Sequence, residues 1–115
     1  MSLSKGDVVL VPFPFTDLTQ TKLRPAIVLY VQPNGDDITL CFISSQNFDL
    51  VDRNEFAIDI THPEFLQTGL KSSSKVRVSR IVTIESRLIQ RRLGSLGVEL
   101  IANLNHILID IFMLI

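Results

Sequence analysis

Gly6-Asp7-Val8-Val9-Leu10-Val11-Pro12-Phe13-Pro14-Phe15-Thr16-Asp17 carries the first apolar run of the chain, and Leu23-Arg24-Pro25-Ala26-Ile27-Val28-Leu29 carries the second. Val8–Val11 is β-branched and closed by Pro12 and Pro14, which predicts a strand with an abrupt end. Thr16–Lys22 is polar and aperiodic and is expected to be a loop. Ala26–Val31 is almost wholly apolar, as in a strand covered on both faces. Arg24 stands between that loop and that strand. Pro25 biases it toward extended backbone, so its guanidinium should arrive at the mouth of the strand with its direction largely fixed. A planar guanidinium held in this way is suited to a phosphate or a carboxylate.

The rest of the chain extends this strand–loop–strand opening into a sheet. Asn34-Gly35-Asp36-Asp37 has hairpin-turn chemistry. Ile38–Ile43 follows as a third strand and ends at Ser44-Ser45-Gln46-Asn47. In an antiparallel pair joined at Asn34-Gly35, the start of strand two and the end of strand three are neighbours, so Arg24 should lie beside Ser44. Glu55–Ile60 alternates, with Phe56, Ile58 and Ile60 on one side, and reads as a half-buried strand broken by His62-Pro63. Thr68-Gly69-Leu70 and Ser72–Ser74 read as a connector. Lys75–Ile84 turns Val76 and Val78 inward and Lys75, Arg77 and Ser79 outward, then slips, which predicts a bulge near Arg80. Leu88–Leu93 is expected as the last strand, with Arg91 and Arg92 at its edge, and Gly94 to Gly97 as a turn. From Val98, Ile101, Leu104, Leu108 and Ile111 recur at helical spacing, so an amphipathic helix should follow. The expected fold is mainly β, α+β in class: one domain over 1–115, with five to seven curved antiparallel strands and a C-terminal helix. The apolar excess at Phe112-Met113-Leu114-Ile115 is expected to face a second subunit.

Composition narrows the function classes. The 115 residues carry a net charge of −1, yet the charge is segregated. Residues 1–70 sum to −5, and residues 71–92 sum to +6 through Lys71, Lys75, Arg77, Arg80, Arg87, Arg91 and Arg92 against Glu85. Local charge rather than net charge sets the field that a polyanion meets. The lone cysteine, Cys41, lies in an apolar run and reads as core filler in a reducing cytoplasm. His62 and His106 are far apart and lack ligand spacing, so no metal site is expected, and both read as solvated. No Gly-rich phosphate loop is present. No secretory leader or membrane span is expected. What remains is Arg24 with Ser44 beside it and the row Arg77, Ser79, Arg80. An arginine next to a hydroxyl at the open end of a sheet can hold a phosphate; the same arginine could instead pair with Asp7 or Asp17.

Gly6-Asp7-Val8-Val9-Leu10-Val11 followed by Lys22-Leu23-Arg24-Pro25-Ala26-Ile27-Val28-Leu29 resembles the opening of the PemK/MazF toxin family, the mRNA interferases of type II toxin–antitoxin systems. The similarity continues through Cys41–Gln46, Gly69-Leu70, Ser74–Ile84 and Leu88–Gly94. The resemblance implies a small SH3-like barrel with a C-terminal helix, homodimeric through sheet and helix. It implies a growth-inhibiting endoribonuclease that needs no metal or other cofactor. Such an enzyme cuts single-stranded RNA by attack of a 2′-hydroxyl on the adjacent phosphate. It also implies a cognate antitoxin that blocks the RNA groove and forms with the toxin a DNA-binding complex. The implied catalytic residues are Arg24, Ser44 and Arg77. Lys22, Ser45, Gln46, Lys75, Ser79, Arg80, Arg91 and Arg92 are the expected RNA contacts.

The chain departs from the family pattern at three places. The resemblance puts Ser79 at a position that is acidic in some members and Val82 at one that is Arg in many, and Thr16–Lys22 lacks the His that some members use. Loss of acid–base help lowers rates by about 10²–10⁴-fold, whereas electrostatic stabilisation by Arg24 is kept. Three readings follow: a nuclease toxin, a weakened module that binds RNA or antitoxin without cutting, and a dimer whose groove takes only an extended peptide.

Overall fold

The computed structural model describes residues 2–13 and 22–115. Six strands form one antiparallel sheet: β1 (Asp7–Phe13), β2 (Lys22–Val31), β3 (Asp37–Ser44), β4 (Glu55–Ile58), β5 (Ser74–Glu85) and β6 (Arg91–Ser95). Their spatial order is β4-β5-β3-β2-β1-β6. A short helix, α1 (Phe65–Thr68), precedes β5, and the long helix α2 (Val98–Phe112) follows β6. The sheet curls into a half-barrel whose inner face holds α2.

Period-two alternation within β1 and β2 serves two cores at once. Val8 and Ile27 face a cluster with Ile43, Ile58, Val76 and Leu100, and Leu104 of α2 joins it. Val9, Val11, Ala26 and Val28 face a second cluster with Ile38, Leu40 and Ile89 on the other side. The all-apolar runs that opened the chain are therefore strands covered on both faces. Cys41 is fully buried in the first cluster, and burial pushes its thiol up to about 12.

The slip in the fifth strand is a bulge. Cys41 of β3 pairs with Ile81, while the next residue, Phe42, pairs with Arg77, so Val78, Ser79 and Arg80 have no counterpart on β3. An excess of this kind bends the strand and raises its twist, and it turns Ser79 and Arg80 out to solvent.

Several boundaries differ from the sequence expectation. β2 starts at Lys22, so Arg24 and Pro25 lie inside the strand rather than at its mouth. Pro25 lacks an N–H yet sits opposite Leu10, and its fixed φ suits extended backbone. Asp17 and the rest of the expected loop before Lys22 lie outside the described residues. β4 ends at Ile58, leaving Ile60 exposed. The expected strand Leu88–Leu93 is displaced: Ser86–Leu88 forms a 3-10 turn and β6 runs through Gly94 and Ser95. Gly94 is in a strand because α1 crosses β6 at backbone contact. A Cβ on Gly94 would collide with the carbonyl of Gln67 and with Thr68, and one on Gly69 with the carbonyl of Leu93.

His62 is not solvated as expected. Its Nδ1 accepts the backbone N–H of Glu64 at 3.0 Å, and its Nε2 lies 3.3 Å from Glu99 of α2. Glu64 in turn caps α2 from a distant part of the chain. Its carboxylate accepts the N–H groups of Glu99 and Leu100, both at 3.0 Å. Gly97 makes room for that carboxylate, since a Cβ there would strike it. A carboxylate on the first-turn amides satisfies orphan donors and complements the helix dipole.

Candidate nucleic-acid interface

Strand register brings the expected pair together. Ala26 pairs with Phe42, and Arg24 and Ser44 lie just beyond that pair on β2 and β3, together in the lining of the same clefts. Arg24 also pairs with Val11 of β1, and Ser44 with Lys75 of β5. By period two, Arg24 shares a face with Ala26, and Ser44 with Phe42. Both therefore continue the face of the second core beyond its apolar edge.

Arg24 and Ser44 line two adjoining clefts and so form the wall between them. The first cleft has a volume of about 590 Å³ and is lined also by Lys22, Ser45, Lys71 and Arg91. The second, about 650 Å³, is lined also by Phe42, Gln46, Arg77, Ser79 and Arg80. Among the described residues no carboxylate lines either cleft. The guanidinium of Arg24 lies 5.5 Å from the centroid of the Phe13 ring, a cation–π distance. The Phe13 ring meets that of Phe42 edge to face, with centroids 5.2 Å apart. The rings thus brace Arg24 from one side. The Ser44 hydroxyl accepts the backbone N–H of Gln46 at 3.2 Å, which leaves its own O–H free to donate.

Asp7, one of the two partners considered for Arg24, is engaged elsewhere. It accepts from Nε of Arg92 at 3.1 Å and from the backbone of Ser4 at 2.9 Å. That contact also settles Arg92, which lines neither cleft and is tied to Asp7 at the opposite side of β6. Lys75 is likewise engaged by a carboxylate. Its Nζ bonds Glu55 at 3.0 Å and the carbonyl of Leu50 at 2.9 Å, and it lines neither cleft.

Glu55 carried no signal in the sequence beyond its place in an alternating strand. In the fold it is a buried carboxylate opposite Arg77 on β4. It accepts from Arg77 Nε at 2.9 Å and from the backbone of Asp52 at 3.2 Å in addition to Lys75. Burial pushes its carboxyl up, but the hydrogen bonds from Lys75, Asp52 and Arg77 outweigh burial and hold it below the usual range. With Nε fixed, Arg77 has a set direction where it lines the second cleft. Lys71 and the two phenylalanines are further lining residues that the sequence did not single out. Among the described residues no cluster of His, Cys, Asp and Glu could hold a metal ion, and no helix is long and apolar enough to cross a membrane.

Solved structures of the same fold include an endoribonuclease from a mycobacterial species in complex with its cognate antitoxin. It aligns with a TM-score of 0.73 at 13% identity over 99% of this chain and 98% of that one. The Mycobacterium tuberculosis toxin MazF-mt6 aligns with a TM-score of 0.71 at 18% identity over 92% and 95%. Comparison with curated protein sequences finds no significant match. The family model for the PemK-like, MazF-like toxin of type II toxin–antitoxin systems matches residues 4–112. With nearly its whole length covered by that match, and with the fold to go with it, the chain belongs to the PemK/MazF-like toxin family.

Proposed function

We propose that this chain is an endoribonuclease toxin that cuts single-stranded RNA at the wall between the two clefts. The observation that carries the reading is the shared placement of Arg24 and Ser44 in a cationic surface that no carboxylate lines among the described residues. A scissile phosphate seated there would receive the guanidinium of Arg24 on its non-bridging oxygens and the hydroxyl of Ser44 as a further donor. The 2′-oxygen attacks phosphorus, the bond to the 5′-oxygen breaks, and the products are a 2′,3′-cyclic phosphate and a 5′-hydroxyl. The proton leaves the 2′-hydroxyl for solvent, and the 5′-oxygen takes one from solvent. Charge builds on the phosphoryl oxygens in the transition state, where fixed donors act most strongly. Arg77, fixed by Glu55, faces the same charge from the second cleft.

Ser79 favours a second reading, a weakened module that binds RNA or antitoxin. It stands exposed in the second cleft, at a position that the family resemblance makes acidic in some members. The remaining parts of the proposal are a cytoplasmic setting, a cognate antitoxin laid over the clefts, and a homodimer. The exposed Phe112 and Met113 support the dimer.

The test is incubation of the purified protein with mixed-sequence single-stranded RNA in EDTA. Cyclic-phosphate ends that fall at least about 100-fold in rate in Arg24→Ala, as expected for a lost transition-state donor, support the nuclease. Intact RNA at stoichiometric enzyme, with binding retained, supports the second reading. Cutting restored by Ser79→Asp would trace that loss to the missing acid.

A further inference from the structure

We infer that the two clefts divide an RNA strand between them: the cleft of Lys22, Lys71 and Arg91 holds backbone phosphates on one side of the cut, and the cleft of Phe42, Gln46 and Ser79 reads bases on the other. The inference rests on the proposed cutting site at Arg24 and Ser44 and assigns a substrate face to each side of it.

The linings differ in kind. Cations, serine hydroxyls and aliphatic carbons make up the first cleft, with neither an aromatic ring nor a side-chain amide among its described residues. Ammonium, guanidinium and hydroxyl groups are the usual partners of phosphate, and their contacts to phosphate carry no base information. The second cleft also holds the guanidinium groups of Arg77 and Arg80, but it adds what the first lacks, two aromatic rings and the Gln46 amide, with the Ser79 hydroxyl beside them. Bases of single-stranded RNA are recognised by stacking on rings and by hydrogen bonds to their edges.

Both faces are built by the fold. Lys71 reaches the first cleft because α1 is pressed onto β6 at backbone contact through Gly69 and Gly94, which sets the chain that follows, Leu70 and Lys71, against the β2 end. Ser79 and Arg80 reach the second because the β5 bulge leaves them without counterparts on β3. The shared wall places the cut at the boundary, so sequence preference should lie on one side of it.

A random single-stranded RNA library, cleaved and sequenced from both product ends, tests the division. The expected result is base preference confined to one side of the cut. Lys71→Ala should weaken binding of a fluorescein-labelled library, lower the slope of log affinity against log salt by about 0.7, and leave the cleavage motif unchanged. Gln46→Ala should broaden the motif on one side and leave the slope unchanged. Both side chains are exposed, so neither substitution burdens the fold. Equal base preference on both sides, or a motif altered by Lys71→Ala, would overturn the division while leaving the nuclease standing. If wild type binds without cutting, the same two variants are compared on homopolymer RNAs. Lys71→Ala should then lower all affinities alike, Gln46→Ala only some, and the reverse would overturn the division. RNA that is neither bound nor cut would overturn both the division and the proposed function.

Discussion

Glu55→Gln isolates the buried carboxylate that holds Arg77 and Lys75. The Glu55 side chain is 5% exposed and that of Lys75 13%, whereas Arg77 is 38% exposed. The Lys75 contact is therefore poorly screened and the Arg77 contact is partly screened. A charge-assisted hydrogen bond contributes about 1.5–3 kcal/mol, and an uncompensated buried cation costs more. Gln keeps one acceptor oxygen but points an amide donor at one of the two cations. With the Arg77 share discounted for solvent, a loss of about 2–3 kcal/mol is expected, or roughly 10 °C in Tm for a chain of this size. The pH dependence gives a second handle. The folded carboxyl titrates below its unfolded value, so its contribution is complete above about pH 4.3 and fades as pH falls through the folded value. Thermal unfolding of both proteins between pH 7 and pH 2.5 checks this, and the gap in Tm should narrow below about pH 4. A gap under about 0.5 kcal/mol at pH 7, or one just as wide at pH 2.5, would refute the reasoning.

Other expectations follow from single contacts. Gly94→Ala drives a Cβ into the backbone of Gln67 and Thr68. Backbone cannot yield as a flexible side chain can, so a loss of about 3 kcal/mol is expected, read by urea unfolding. Cys41 should resist a maleimide at pH 8 in the native protein and react at once in denaturant, because the buried thiol does not ionise there. Phe112→Glu should reduce the apparent mass in sedimentation without loss of helix by circular dichroism, since that ring is exposed. Leu108→Glu should unfold the chain instead, because Leu108 packs on the first core.

Most of the strands and the terminal helix were legible in the chain because their signals are local. Doubly apolar runs such as Ala26–Val31, a hairpin turn at Asn34-Gly35 and the 3.6-residue period from Val98 each follow from a few consecutive residues. So was the nearness of Arg24 to Ser44, since antiparallel topology alone puts those strand ends side by side. Even the bulge left a trace as a broken alternation after Val78. What only the tertiary structure decided depended on residues distant in sequence. Lys75 and Arg92 were expected among the RNA contacts, yet Glu55 and Asp7 engage them and neither lines a cleft, and no local pattern reveals which carboxylate a cation will meet. The position of β6 was missed because contact with α1, not propensity, places Gly94 in a strand. His62 was misplaced for the same reason, since its partner Glu99 belongs to a helix more than thirty residues on. Periodicity reports which face of an element is buried; charge pairing and backbone contact between elements are settled only when the chain closes on itself.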